Sequence, residues 1–162
     1  MDKKPSLDDR SELHYINAVL HESFRVTSFV PMSVPHHVSA DVKVAGYVIP
    51  KGAILLPSLY HVMHDPEYFK DPETFQPDRF LDEQGHFVAD ERVIPFSIGK
   101  RFCLGQSLAE KEFFLFFTGL LHAFRFEHAP GKEIPPYNVN KLPIKGILRS
   151  TPTFEVVMSE RK

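Results

Sequence analysis

The sequence is poor in cysteine, in net charge and in long apolar runs, and each shortage excludes a class of protein. A single cysteine among 162 residues allows no internal disulfide, so we expect a reducing, cytosol-facing environment. A net charge of −2 gives no indication of nucleic-acid binding. The longest apolar run, Phe113 to Leu121, is shorter than the roughly 20 residues that cross a bilayer. Residues 1–11 are too polar for a signal peptide or membrane anchor, so we expect neither in this chain.

The composition that remains is that of a globular protein, with 43% hydrophobic and 25% charged residues and no repeat or linker. Apolar residues at helical spacing predict an amphipathic helix from Ser11 to Arg25, with Ser11 or Asp9 as its cap. Alternating apolar residues from Asp41 to Leu56 predict a small β-sheet with turns at Ala45-Gly46 and Pro50-Lys51-Gly52. We therefore expect an α+β, mainly helical fold.

The second half of the chain predicts an irregular segment, a buried helix and two short strands. Between Tyr60 and Pro95 the chain is rich in proline and charge, and two Asp-Pro-Glu sequences predict short helical turns. Apolar residues nearly encircle the helix predicted from Cys103 to His122, so we expect it to be buried. Strands follow at 124–127 and 154–158, with a loop or hairpin around residues 135–147.

The only cysteine lies in the sequence Phe-Ser-Ile-Gly-Lys-Arg-Phe-Cys-Leu-Gly, residues 96–105. A lone cysteine is most often a small buried hydrophobe. Its surroundings here favour a thiolate metal site, because the start of a helix supplies positive potential to an anion. Gly99 and Gly105 let the backbone come close to a flat ligand, and Arg101 can reach an anionic substituent of that ligand.

This sequence resembles the haem-binding loop of the cytochrome P-450 family, F-x-x-G-x-R-x-C-x-G, at every fixed position. The matching residues are Phe96, Gly99, Arg101, Cys103 and Gly105. The resemblance implies that Cys103 is the axial ligand of haem iron, that Arg101 binds a haem propionate and that Phe96 covers the sulfur. A thiolate ligand donates electron density to iron and favours O–O cleavage.

Two further motifs fit the same family in the order in which the family has them. Glu22 and Arg25 form E-x-x-R, and Arg79 lies in Pro-Asp-Arg-Phe, which fits P-x-R-F. Taken alone, Glu22 and Arg25 are an ordinary surface pair of one helix. The resemblance implies instead a buried charge network of Glu22, Arg25 and Arg79 that fixes the irregular segment behind the haem.

Nine histidines raise the question of a second metal site. His36 and His37 are adjacent in a predicted strand and point to opposite faces, and His61 and His64 have no obvious third ligand, so we expect no zinc. His36 follows a proline, and a Pro-His pair contacts a haem propionate in the animal microsomal members of the family. We therefore include His36 among the cofactor-binding residues.

The resemblance extends over about residues 6–158 and implies the activity of the animal microsomal branch, which oxidises drugs, steroids and fatty acids. Such an enzyme inserts one oxygen atom from O2 into a lipophilic substrate. Its electrons come from NADPH through a flavoprotein reductase or another electron donor, and it lies on the cytosolic face of the endoplasmic reticulum membrane. Lys100 then helps dock the donor, unless it is an ordinary solvated cation. Two segments, 27–34 and 146–151, correspond to the substrate pocket, although their apolar residues suit an ordinary core equally well.

Residues 1–162 are thus expected to be the C-terminal part of one cytochrome P-450 domain. The W-x-x-x-R and A-G-x-[DE]-T sequences that the family uses to bind propionates and activate oxygen do not occur in these residues. We therefore expect no catalytic residue here beyond the haem ligand, and no activity from this chain alone. The alternatives are a truncated, non-catalytic product that at most binds haem or the electron donor, and a peroxide isomerase that uses the same cysteine without external electrons.

Overall fold

The computed structural model describes residues 3–134 and 144–161, and of Ile144 and Lys145 only the backbone. Helices and small antiparallel sheets alternate along this part of the chain, which gives the expected α+β architecture. The α-helices are α1 His14–Thr27, α2 Leu59–Met63 and α3 Gln106–Ala123. The strands are β1 His36–His37, β2 Val42–Val44, β3 Tyr47–Ile49, β4 Ile54–Leu55, β5 Phe124–His128, β6 Ile144–Lys145, β7 Leu148–Arg149 and β8 Val156–Glu160.

The first helix begins three residues later than its sequence predicts. Leu7–Glu12 form a 3-10 helix instead, which Ser6 caps by donating its backbone N–H and its hydroxyl to Asp9 Oδ2, at 2.8 and 2.9 Å. The prediction that Ser11 or Asp9 caps α1 is therefore wrong, because Asp9 is already engaged by Ser6. Helix α1 ends where Ser28 adopts left-handed backbone angles, with φ of 38°.

The core lies between α1 and the irregular segment that follows α2. Ala18 of α1 packs with Phe69 and Phe80, and all three are almost completely buried. Residues 65–68 and 71–74 form the short turns that the two Asp-Pro-Glu sequences predict, and Pro77–Phe80 form a 3-10 helix. This irregular segment is therefore an ordered layer over α1.

The strands pair as local hairpins and as one pair that is distant in sequence. Strands β2 and β3 form the predicted hairpin around Ala45 and Gly46, which both have positive φ. Strand β4 pairs with β1, so that His36 lies opposite Leu55. Strand β5 pairs along its whole length with β8. Strands β6 and β7 form a hairpin in the predicted region, of which residues 135–143 lie outside the described part of the chain.

Helix α3 contradicts the prediction of a buried helix from Cys103 to His122. It begins at Gln106, because Cys103 and Gly105 lie in the preceding turn, where Cys103 O accepts the Gln106 N–H at 3.2 Å. Of its residues only Phe114 and Thr118 are buried, while Leu108 and Phe116 are 62% and 69% exposed. The described residues cover one face of α3 and leave the opposite apolar face open. No helix in the described part of the chain is long and apolar enough to cross a membrane.

Candidate functional site

The carboxylate of Glu22 lies at the centre of a buried charge network that joins α1 to the irregular segment. Arg25 Nε and Nη2 donate to its two oxygens at 2.6 and 2.8 Å, and neither side chain is exposed. Arg79 Nε donates to Glu22 Oε1 at 3.2 Å from the 3-10 helix. The Gln76 backbone N–H donates to the same oxygen at 2.9 Å. The structure thus brings together all three residues of the two charged motifs.

The arginines of this network also bind backbone carbonyls of the irregular segment. Arg25 Nη1 donates to Met63 O at 2.9 Å, and the face of Phe69 lies 5.1 Å from its guanidinium carbon. Arg79 donates to Lys70 O and Thr74 O at 3.1 and 3.3 Å. Because almost every hydrogen-bonding group of these charges has a partner, removal of one member leaves the others buried without partners.

The cysteine loop packs against α1 from the other side. The Phe96 ring meets the Phe24 ring of α1 edge to face, with centroids 5.3 Å apart. Phe96 O accepts the backbone N–H of Cys103 at 2.9 Å, which closes the loop. Gly99 has φ of 75°, a backbone conformation that residues other than glycine rarely adopt. These contacts fix the position of Cys103 relative to α1.

The reactive groups of the loop face outward. Cys103 is exposed, as are Lys100 and Arg101 of the 3-10 helix Gly99–Arg101. Among the described residues, neither cation takes part in an ion pair, so both charges are available to an external anion. The Phe96 ring packs on Phe24, and its predicted cover over the sulfur stays a prediction.

Comparison with known proteins identifies the family of this chain. The family model described as cytochrome P-450 matches residues 1–158. The chain belongs to the cytochrome P-450 family. It is 44% identical over 158 residues to cytochrome P-450 2G1 of Oryctolagus cuniculus, covering 97% of this chain and 31% of the relative. It is 44% identical to cytochrome P-450 2S1 of Homo sapiens, covering 94% of this chain and 30% of the relative. It is 40% identical to farnesoate epoxidase of Bombyx mori, covering 99% of this chain and 32% of the relative.

The chain therefore spans about a third of the length of the curated relatives it matches. Membership of the cytochrome P-450 family implies haem, and the residues present fit that group in two respects. The loop offers one exposed thiol, which can supply the single sulfur ligand of the iron. His36 Nε2 is buried and has no hydrogen-bond partner among the described residues, so it lacks the acceptor or donor that a buried ring nitrogen needs.

His61 and His64, at which we expected no zinc, are held by local hydrogen bonds. His61 Nδ1 lies 2.6 Å from Ser58 Oγ, and His64 Nδ1 lies 3.1 Å from Tyr60 O. Burial, with a smaller contribution from the nearby Arg25 charge, lowers the pKa of His64. Within residues 3–134 and 144–161, no group of three or more His, Cys, Asp or Glu side chains could hold a metal ion.

The two segments that the resemblance assigns to a substrate pocket lie side by side. The Arg149 backbone N–H of β7 donates to Phe29 O at 2.9 Å. Both segments line one cavity of about 510 Å³, which α1 and α3 complete with Phe24 and Phe113. The lining residues are Ser23, Phe24, Thr27, Phe29, Phe113, Arg149, Ser150 and Thr151.

Sequence reasoning did not single out Arg149 as a lining residue of this cavity, because it described residues 146–151 as mostly apolar. The signal was present, since Arg149 is the one charged residue of the tip that follows Gly146. It also missed Gln76 N and Met63 O as partners of the charge network. No side-chain pattern could reveal them, because a backbone N–H or carbonyl is common to nearly every residue type and leaves no mark in the sequence.

Proposed function

We propose that this chain supplies the cysteine-side wall of the haem site in a haem-thiolate monooxygenase. In this proposal the whole protein inserts one oxygen atom of O2 into a lipophilic substrate, and residues 1–162 are the C-terminal part of its single domain. One observation carries the proposal, namely a fixed loop that presents an exposed cysteine and two exposed cations, neither in an ion pair with a described residue, in a member of the cytochrome P-450 family. One relative is named as an epoxidase of farnesoate, which supports oxygen transfer as the reaction class.

Each loop residue has a proposed role in holding the cofactor. Cys103 would ligate the haem iron through its sulfur, Gly99 and Gly105 would allow the cofactor to approach the backbone closely, and Arg101 would bind a propionate. His36 binds a second propionate through Nε2, which is buried without a partner in this structure. When it is bound to a thiolate, haem supplies the activation of O2 and cleavage of the O–O bond. The chain itself positions the thiol through the contact between Phe96 and α1 and the hydrogen bond from Cys103 N to Phe96 O.

The charge network and the exposed cations have supporting roles in this proposal. Glu22, Arg25 and Arg79 hold the irregular segment rigid, so that the loop that follows it begins from a fixed point. Lys100 is exposed near Cys103 and suits an acidic electron donor, for which we propose an NADPH-dependent flavoprotein reductase. Such a reductase places the enzyme on the cytosolic face of the endoplasmic reticulum.

The proposal is tested with the full-length, haem-loaded protein, a reductase, NADPH and lipophilic test substrates under isotopically labelled dioxygen. We expect one labelled oxygen atom in the product and complete loss of product in Cys103→Ser. The control is Lys111→Gln, which removes an exposed cation of α3 outside the loop. Product whose oxygen comes from water, or unchanged product formation by Cys103→Ser, would contradict the proposal.

A second candidate function is binding of haem or of the electron donor without catalysis. The open apolar face of α3 favours it, because Leu108 and Phe116 have no cover among the described residues. Under this candidate the 162-residue chain alone binds haem weakly and forms no product. Reductase-dependent product from the 162-residue chain, at rates above those of free haem, would exclude it.

A further inference from the structure

Phe24 of α1 contacts both the cysteine loop and helix α3. Its ring meets the Phe96 ring of the loop edge to face, with centroids 5.3 Å apart. It meets the Phe113 ring of α3 in the same way, with centroids 5.1 Å apart. Phe113 in turn meets Phe117 of the same helix, with centroids 6.3 Å apart. Four aromatic rings thus form one continuous row from the loop through α1 to α3.

The Phe24 side chain also lies between two cavities. One cavity of about 420 Å³ is bounded by α1, the irregular segment and the start of α3, and Phe96 is part of its wall. The other is the cavity of about 510 Å³ described above, whose wall includes Phe113. Phe24 is the one residue that lines both. Removal of its ring would therefore enlarge both cavities and leave Phe96 without its aromatic contact on α1.

The cysteine loop depends on such a contact, because its backbone is strained directly after Phe96. Ser97 has φ of 63°, in the left-handed region that residues other than glycine rarely adopt. Its backbone N–H donates to Ile94 O at 3.0 Å, and Phe96 O accepts the Cys103 N–H at 2.9 Å. A strained residue persists only where the surrounding structure holds it in place. The packing of Phe96 on Phe24 is one of the contacts that do so.

We propose that Phe24 is a positioning residue for the sulfur ligand of the iron. The inference rests on the proposed function, in which Cys103 ligates haem iron. Phe24 acts through Phe96: the ring contact fixes the Phe96 carbonyl, and that carbonyl holds the Cys103 N–H. The sulfur thereby keeps one position relative to α1. A sulfur that is free to shift admits hydrogen bonds from water, which withdraw electron density from it and favour the ferrous state.

The test is a reductive titration of the full-length, haem-loaded protein, which measures the reduction potential of the iron. Phe24→Leu keeps an apolar side chain and removes both edge-to-face contacts. At a fixed applied potential we expect its ferrous-to-ferric ratio to rise by about threefold, less than the effect of groups that bind a metal ligand directly. The thiolate-type band of the ferrous–CO spectrum should remain, because Cys103 is unchanged.

The matched control is Phe114→Leu, the same substitution at a fully buried ring of α3. Among the described residues, this ring packs on the guanidinium of Arg10, 5.7 Å from its centre, and not on the loop. Phe114→Leu should lower the urea midpoint at least as much as Phe24→Leu and leave the reduction potential unchanged. A residue with a purely stabilising role would not produce this separation.

A second variant keeps the test decisive if Phe24→Leu folds poorly. Phe113→Leu removes the contact that supports Phe24 from α3 and keeps the one between Phe24 and Phe96, so the potential should shift in the same direction by less. Unchanged potentials in both variants, or an equal shift in Phe114→Leu, would overturn the inference. The wild-type ferrous–CO spectrum separates two failures. Unchanged potentials with a thiolate-type band refute only this inference, whereas the lack of that band in the wild type refutes the proposed function as well.

Discussion

The charge network around Glu22 and the cysteine loop lie on opposite sides of α1, and they satisfy their polar groups in opposite ways. Glu22 and Arg25 are fully buried and bind each other and the backbone. Cys103, Lys100 and Arg101 are exposed, and the cations are free of ion pairs within the described residues. The network completes its contacts inside the chain, while the loop directs its reactive groups outward.

The difference separates a stabilising role from a ligand-binding role for charges of the same type. Arg25 and Arg101 are both arginines of short family motifs. Arg25 pairs with Glu22, whereas no described residue forms an ion pair with Arg101. A buried ion pair contributes to stability mainly through the penalty of breaking it. An exposed cation contributes little to stability, and it remains available to bind an anionic ligand or partner. Variants of the two regions should therefore have distinct effects.

The largest effect is expected from Glu22→Ala. The change strands Arg25 in the core and removes an acceptor of Arg79 and Gln76 N, which costs about 3–5 kcal/mol, a large part of a typical domain stability. We expect loss of cooperative unfolding, measured by urea titration. The matched control is Glu12→Ala, which removes an exposed acid ahead of α1 and should leave the midpoint unchanged. A normal midpoint for Glu22→Ala would show that the network is not required for the fold.

A smaller loss is expected from Arg79→Ala. The Arg79 side chain is 11% exposed and lies 3.2 Å from Glu22, so water can replace part of its contacts. We expect a loss of about 2 kcal/mol in the free energy of unfolding, the size of a hydrogen bond to a charged group. Arg25→Ala, compared in the same titration, should lose more. Equal losses from both variants would contradict the ranking by burial.

A pH effect of still smaller size is expected from His21, which lies between the two regions. Burial lowers the pKa of His21, whose Nε2 accepts the Asp90 N–H at 3.3 Å and whose ring meets Phe80 and Phe87 edge to face. The acids Glu22, Asp90 and Glu110 raise this pKa, but burial outweighs them. Because the folded pKa lies below the unfolded value, the unfolded chain binds more protons as the pH falls.

The contribution of His21 to stability is thus fully present above the unfolded pKa of about 6.5 and declines as the pH falls below it. Urea midpoints measured between neutral and mildly acidic pH should fall more in the wild type than in His21→Gln, which offers an acceptor that does not titrate. An identical pH dependence in both proteins would rule out His21 as its source. His64, whose pKa burial also lowers, contributes in the same direction and remains in both proteins.

The smallest effect on folding is expected from Arg101→Gln. The exposed side chain takes part in no ion pair within the described residues, so the urea midpoint should not change. Haem retention should weaken, since the proposed propionate contact is lost. Transfer of haem to an acceptor protein measures the retention separately from folding. A lowered urea midpoint would show that Arg101 stabilises the fold and would contradict a role limited to ligand binding.

Some features of the molecule could be predicted from its sequence and others could not, for physical reasons. The triad of Glu22, Arg25 and Arg79 could be predicted because side-chain identities and motif order specify it, and the structure brings the three together. The hairpin at Ala45-Gly46 could be predicted because few residues adopt positive φ. The start of α1 was predicted too early, because periodicity does not distinguish a capped 3-10 helix from an α-helix.

Burial of α3 was the least predictable feature. Its apolar residues lie on every side of the helix and therefore predict complete burial. Burial also depends on which segments pack against the helix, and the described residues pack against one face only. Arg149 illustrates the same limit. Its charge is visible in the sequence, whereas its stacking on Tyr60 arises from a contact between distant segments.

The ferrous–CO difference spectrum tests the central claim most directly, because it reports the atom that ligates the iron. We predict that the full-length, haem-loaded protein shows the red-shifted band of thiolate ligation, and that Cys103→His replaces it with the band of nitrogen ligation. Lys100→Gln, three residues away, should leave the thiolate band in place. Survival of the red-shifted band in Cys103→His would contradict the account, because the ligand would then be a sulfur other than that of Cys103.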